Sequence, residues 1–274
     1  MNSNLIELNK TANVIRQDIV KMIHAANSGH PGGSLSAADI MTALYFEVMD
    51  IDPANPKKES RDKFVLSKGH AAPVVYATLA RRGFFPVEEL MNLRQTGAML
   101  QGHPDMKAIP GIEMSTGSLG QGLSAAVGMA IAGQLNKDGK YVYALLGDGE
   151  LNEGIIWEAT MAAAHYKLGN LIAFVDYNGL QIDGKNDDVM GIKPLDKKFE
   201  AFGWDVQIVD GHSIEAIVAA VEKAKTVAGQ PSMIIANTVK GKGVSFMEDQ
   251  AGWHGKAPSN EELEKAIADL GGAL

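Results

Sequence analysis

The chain has 274 residues, 46% of them apolar and 21% charged, with a net charge of −8 and no cysteine. That length allows one large α/β domain with a substantial core. The acidic balance gives no general case for nucleic-acid or anionic-membrane binding, and the lack of cysteine excludes disulfides, thiolate metal sites and a cysteine nucleophile.

No apolar run approaches the roughly eighteen residues of a membrane-spanning helix. The N-terminus Met1-Asn2-Ser3-Asn4-Leu5-Ile6-Glu7 lacks a secretory pattern, so a cytoplasmic protein is expected. Between residues 4 and 27, Leu5, Leu8, Val14, Ile15, Ile19, Met22 and Ile23 recur at helical spacing and predict an amphipathic helix. A second helix is expected from Ser36, as N-cap, to about Val48. Pro53, Asn55 and Pro56 mark residues 52–58 as a loop. Phe64-Val65-Leu66 reads as a short strand leading into Ser67-Lys68-Gly69-His70, and helical character returns from Pro73 to Arg82. Leu119 to Leu135 reads as a helix dense in Gly and Ala, which predicts close backbone packing.

Tyr141–Leu146 and Leu171–Val175 read as buried strands around a helix from Gly154 to Lys167. Trp204–Val209 (strand), Ser213–Val227 (helix) and Ser232–Val239 (strand) follow, then an irregular stretch from Lys240 to Ser259 and a short terminal helix. Such alternation, with continuous apolar strands, predicts a doubly wound, mostly parallel sheet with helices on both faces. No repeat or long linker interrupts it, so residues 1–274 are expected to form a single domain.

Asp148, in Leu146-Gly147-Asp148-Gly149-Glu150, follows one predicted strand, and Asn178, in Asp176-Tyr177-Asn178, follows the next. Ligands of open parallel sheets bind at that strand edge. A carboxylate paired with an amide oxygen is hard-oxygen chemistry, suited to Mg²⁺ or Ca²⁺ shared with phosphate oxygens. Alone, Gly-Asp-Gly is as readily a turn; the paired Asn at a matching strand end favours a site.

Four of the seven histidines, His30, His70, His103 and His254, lie in predicted loops beside Gly or Pro, where backbone can aim an imidazole at a ligand. Their spacing fits no compact zinc pattern. Neutral imidazoles would instead hydrogen-bond hydroxyls and relay protons. His24 and His165 fall inside predicted helices and read as packing or surface residues, and His212 as a structural turn or cap. Glu150 reads as a solvated loop charge, and Lys240, taken by itself, as an ordinary exposed loop lysine.

Five motifs, in order, resemble transketolase. They are Ser28-Gly29-His30-Pro31, Ser67-Lys68-Gly69-His70-Ala71-Ala72, Thr116-Gly117-Ser118-Leu119-Gly120-Gln121-Gly122, the Gly-Asp-Gly to Asn178 segment, and Lys240-Gly241-Lys242-Gly243. The Gly-Asp-Gly to Asn spacing is similar to the thiamine diphosphate motif of thiamine-dependent enzymes. By resemblance, Asp148, Asn178 and the backbone oxygen of Leu180 would hold the cation, and Gly149 would let backbone approach the diphosphate. Lys68, His70, Lys240 and His254 would surround the phosphates or thiazolium side, with Gly117, Ser118 and Leu119 lining the cofactor. His30, His103 and His254 would contact substrate hydroxyls and assist proton transfer, and Glu153 would join a carboxylate relay at a subunit interface.

The resemblance covers nearly the whole chain but less than half of an ordinary transketolase. It implies the N-terminal subunit of a split enzyme that moves a two-carbon ketol unit between sugar phosphates. The pyrimidine-binding and C-terminal domains, with an activating glutamate and most sugar-phosphate contacts, are expected on a separate C-terminal subunit, in a two-plus-two heterotetramer. Related 1-deoxyxylulose-5-phosphate synthases share Gly-Asp-Gly, but Ser67–His70 and Gly102-His103-Pro104-Asp105 look more like transketolase. A non-catalytic thiamine-diphosphate-binding module would not need all four loop histidines.

Overall fold

The computed structural model describes residues 3–272. Helix α1 (Ser3–Ala26) buries Ile15, Ile19, Met22 and Ile23, the apolar stripe that its spacing predicts. The next helix begins earlier than expected. Pro31, with its fixed φ and no N–H to leave unpaired, starts α2 (Pro31–Ser36), and α3 (Ala38–Ala43) follows and ends in a π turn at Leu44–Val48. Ser36 is therefore no N-cap; its hydroxyl donates to Asp176 Oδ2 at 2.5 Å.

Strand β1 (Lys63–Leu66) leads through a 3₁₀ turn at Gly69–Ala71 into α4 (Ala72–Arg82), which Gly83 closes in the left-handed region. Helix α5 (Gln121–Asn136) starts after Gly120, so Leu119 lies in the loop before it. Its dense small residues pack closely on one side only, where Gly122 lies against Ser67, whereas Gly128 on the other side is exposed and meets nothing.

Strand β2 (Val142–Gly147), α6 (Gly154–His165) and β3 (Leu171–Tyr177) follow as expected. Residues 179–203, for which no helix or strand was expected, form the hairpin β4 (Leu180–Gln181) and β5 (Gly184–Lys185), then α7 (Asn186–Val189) and α8 (Leu195–Ala201). Strand β6 (Asp205–Asp210), α9 (Ile214–Lys225), β7 (Ser232–Asn237) and α10 (Asn260–Asp269) complete the chain. Ser213 caps α9, and Ser259 with Glu262 forms a capping box on α10.

The main sheet has the order β1-β2-β3-β7-β6, and every pair in it is parallel. Its central strands look uniformly apolar because both faces are covered. Tyr143, Leu145, Ile172, Phe174 and Ile234 enter the layer with α1, α3, α4 and α9. Their neighbours Val142, Ala144, Leu171, Ala173 and Met233 enter the opposite layer with α5, α6 and α8. Each large apolar side chain buried this way contributes roughly 1.5–3 kcal/mol of transfer free energy. Among the described residues, no helix is long and apolar enough to cross a membrane.

Candidate active site

Loops at the carboxyl ends of β1, β2, β3 and β7 converge on a cleft of about 240 Å³. It is lined by ten of the residues singled out from sequence: Lys68, His70, Gly117, Leu119, Asp148, Gly149, Asn178, Leu180, Lys240 and His254.

The cation end begins with Asp148, which is 2% exposed. Its carboxylate accepts the N–H of Gly149 at 2.8 Å and that of Gly179 at 2.6 Å. Burial and then neighbouring Asp176 nevertheless push its carboxyl up to about 6. Asn178 Oδ1 accepts the N–H of Leu180 at 3.1 Å, and Leu180 O accepts Lys240 Nζ at 3.2 Å. A carboxylate, an amide oxygen and a carbonyl on one cleft wall fit a hard divalent cation, whose charge would relieve the strain on Asp148. Among the described residues no three His, Cys, Asp or Glu are placed to hold a metal ion together, so a cation here would rest on Asp148 and neutral oxygens. The missing side chain of Gly149 also leaves room for Gln181, whose Cβ lies 2.7 Å from where a Gly149 Cβ would stand.

Two residues organise this end without having been expected to. Asp176 is fully buried at the end of β3, beside Gly147 in register. It takes donors from Lys68 Nζ, the hydroxyls of Ser36 and Thr238, and more loosely Asn178 Nδ2. Burial alone would raise its carboxyl, but Lys68 and these donors hold it below the usual range. A lone acid at the end of the apolar run Leu171-Ile172-Ala173-Phe174-Val175 is the signal that sequence offers for it.

Glu150 is the second, and its reading as a solvated charge is wrong. It is 2% exposed and accepts Ser67 Oγ, Gly120 N–H at 2.8 Å and Gly147 N–H at 2.9 Å. One carboxylate thus ties the β1 loop, the start of α5 and the β2 loop together. Burial raises its carboxyl despite these donors. Nothing in the local sequence distinguishes it, because two of its three partners come from distant segments.

Lys240 is buried, not an exposed loop lysine, and burial lowers its ammonium to about 8. Its Nζ also donates to His254 Nδ1 at 3.1 Å. His30, His70 and His254 form a triangle with ring centroids 5.1–5.4 Å apart. Burial, followed by surrounding positive charge, lowers His30 and His254 to about 4 and His70 to about 2. The imidazoles are therefore neutral near pH 7, and His30 Nδ1 is buried without a partner. Two buried lysines beside three neutral rings make a place for an anion.

His103 stands at the rim, exposed, with its ring against Gly117 and its basicity lowered by burial and Arg94. Ser118 is exposed on the loop before α5. Glu153 is exposed at the N-terminus of α6, beside Gly120 and outside the cleft lining. His24 bonds Pro258 O at 2.9 Å, while His165 is exposed at the end of α6.

A doubly wound parallel sheet with a hard-oxygen set, buried lysines and neutral imidazoles at its carboxyl edge defines an α/β domain built for a phosphate-bearing cofactor. Comparison with known proteins gives the family. Residues 8–273 match the transketolase thiamine diphosphate binding domain, and the chain belongs to that family.

It is 49% identical to the 6-deoxy-6-sulfo-D-fructose transketolase subunit SqwG of Clostridium sp. (strain MSTE9), over 98% of either chain. It is 43% identical to an apulose-4-phosphate transketolase subunit of Phocaeicola vulgatus, over 93% of this chain and 90% of that one. A solved transketolase from Pichia stipitis, in complex with sedoheptulose 7-phosphate, superposes with a TM-score of 0.92 at 35% identity. That match covers 97% of this chain but 41% of the other, so the chain spans less than half the length of the whole transketolase.

Proposed function

We propose that this chain is the N-terminal, diphosphate-binding subunit of a two-chain transketolase. The enzyme transfers a two-carbon ketol unit from a ketose phosphate to an aldose. The observation that carries the reading is the meeting, in one cleft, of the Asp148–Asn178–Leu180 oxygen set with Lys68, Lys240 and the histidine triangle.

Asp148, Asn178 and Leu180 O would hold Mg²⁺ or Ca²⁺ against the diphosphate, and Lys240 would exchange Leu180 O for phosphate oxygen. Lys68 keeps its bonds to Asp176 and Gly33 O and adds positive potential from beneath. Gly117, Ser118 and Leu119 would flank the cofactor. Bound thiamine diphosphate supplies the electron sink that lets the bond beside a ketose carbonyl break. The neutral His30, His103 and His254 would orient sugar hydroxyls and pass protons at the reacting carbons. Residues 1–274 would act as one domain in cytoplasmic carbohydrate metabolism, including pentose phosphate interconversion.

The pyrimidine-binding and C-terminal domains would come from a second subunit, in a two-plus-two heterotetramer with Glu153 at an interface. Xylulose 5-phosphate with ribose 5-phosphate is the default pair, and a specialised ketose phosphate, a sulfosugar or a branched sugar, is the alternative; relatives named for 6-deoxy-6-sulfo-D-fructose and apulose 4-phosphate support the alternative.

Size-exclusion and transketolase assays of the chain, alone and with its C-terminal partner, test the reading in thiamine diphosphate and Mg²⁺. Activity and a larger complex are expected only in the mixture; activity from this chain alone would overturn it. Asp148→Ala should weaken thiamine diphosphate–Mg²⁺ binding by about a hundredfold, near the upper end for a lost charge-assisted contact, with the fold unchanged by circular dichroism.

A further inference from the structure

Lys240 is carried by the segment that leaves β7 and turns along the cleft. Its N–H groups at 238, 239 and 241 are each held, and Lys240 O accepts Asp249 N–H at 3.0 Å. Thr238 N–H donates to Tyr177 O at 3.1 Å, Gly241 N–H to Gly32 O at 3.0 Å, and Val239 N–H to His212 Nε2 at 2.9 Å. The third is made by a side chain that does not line the cleft, and it acts on the residue immediately before Lys240.

An imidazole nitrogen that accepts a backbone N–H carries no proton, so the other ring nitrogen must. His212 Nδ1 lies 2.7 Å from Asp39 Oδ2 and donates to it. Asp39 is 4% exposed and accepts both terminal nitrogens of Arg16, which is 7% exposed. A buried chain of polar contacts therefore runs from Arg16 on α1, through Asp39 on α3 and His212, to the backbone of Val239.

The turn bearing His212 is seated directly on this segment. Gly211 N–H donates to Asn237 O at 2.8 Å, and a Cβ at Gly211 would stand 2.4 Å from Thr238 Cγ2. Capping does not explain the histidine, because Ser213 supplies the N-cap bond of α9. Beyond the pinned amide, Gly241 turns the chain at φ +79°, with no room for a Cβ against Met247 O.

We propose that His212 is a positioning residue for the cofactor cleft: held in one tautomer by Asp39, it fixes the Val239 amide and so sets the placement of Lys240. The inference rests on Lys240 serving a diphosphate. Lys240 Nζ has to meet both Leu180 O and His254 from a buried stem, and freedom in its backbone would blur that placement.

Two substitutions separate this role from packing. In His212→Gln the side-chain carbonyl can take the place of Nε2 as acceptor, whereas in His212→Asn the amide N–H₂ can replace Nδ1–H but nothing reaches Val239. Hydrogen exchange across residues 238–243 is measured on the full chain, and calorimetric binding of thiamine diphosphate with Mg²⁺ on the chain paired with its C-terminal subunit. His212→Asn should speed exchange at Val239 by about tenfold or more and weaken binding by roughly ten- to a hundredfold. His212→Gln should stay within about threefold of the parent in both, since its acceptor is kept.

Equal behaviour of the two variants, or failure of both to fold, would make His212 a packing residue and overturn the proposal. If the parent chain paired with its C-terminal subunit binds no thiamine diphosphate, the functional reading fails instead, and the exchange comparison still judges whether His212 fixes Val239.

Discussion

The two ends of the cleft are built on opposite principles. At the cation end, Asp148, Asp176 and Glu150 are each buried and each accept two or more donors, so their geometry is set before any ligand arrives. At the histidine end, three rings sit close together, lowered in basicity, and His30 Nδ1 has no partner at all. One end spends fold stability on holding a shape; the other holds unsatisfied polarity that a bound anion and sugar would satisfy. The contrast follows from the ligands. A hard cation tolerates little error in oxygen placement, while sugar hydroxyls are met by rings that donate and accept.

The largest expected effect comes from breaking the prewired end. Asp176→Ala leaves the Lys68 ammonium buried with only Gly33 O and should cost about 3–5 kcal/mol in equilibrium urea unfolding. The double variant Lys68→Met with Asp176→Leu should recover most of that loss. If the single substitution costs nothing, the network does not set the shape of this end.

Glu150→Gln is milder. It places an N–H₂ among three donors and should cost about 1–3 kcal/mol, with weaker thiamine diphosphate binding. An unchanged unfolding midpoint would show that the three loops hold without it.

Only in acid does the histidine end show its effect on stability. His30, His70 and His254 titrate in the unfolded chain near 6.5, but in the fold at about 4, about 2 and about 4. Below pH 6.5 the unfolded chain therefore binds more protons. The contribution is fully present above 6.5 and is lost as pH falls towards about 4. Asp148 acts in the opposite sense between about 6 and 3.8, so the comparison is made against a His30→Gln, His70→Gln, His254→Gln variant. Thermal midpoints of the parent should fall more steeply from pH 6.5 to 4.5 than those of the variant. Parallel curves would mean that the rings are not held neutral by burial.

Much of this molecule is legible in local sequence pattern. Strands β2, β3 and β7 stand out because continuous apolar runs of strand length, set between helical periods, have few other solutions. The loop motifs stand out because glycine and proline fix backbone locally, and ten of the residues drawn from them line one cleft. The region of residues 179–203 does not, since a two-residue hairpin and helices of four and seven residues leave too short a period to detect. Glu150 and Lys240 mislead for a different reason. A charged residue in a glycine-rich loop looks solvated until its partners are known, and those partners lie largely on other strands and loops.

By itself, the sequence determined the parallel α/β plan, the loops that carry chemistry and the family resemblance, all of which rest on local pattern and motif order. Only the tertiary structure decided which charges are buried, that Asp176 and Glu150 hold the loops together, and that His212 reaches Val239. Burial and hydrogen bonding between distant segments have no local signature, because they depend on which strand ends the fold brings side by side.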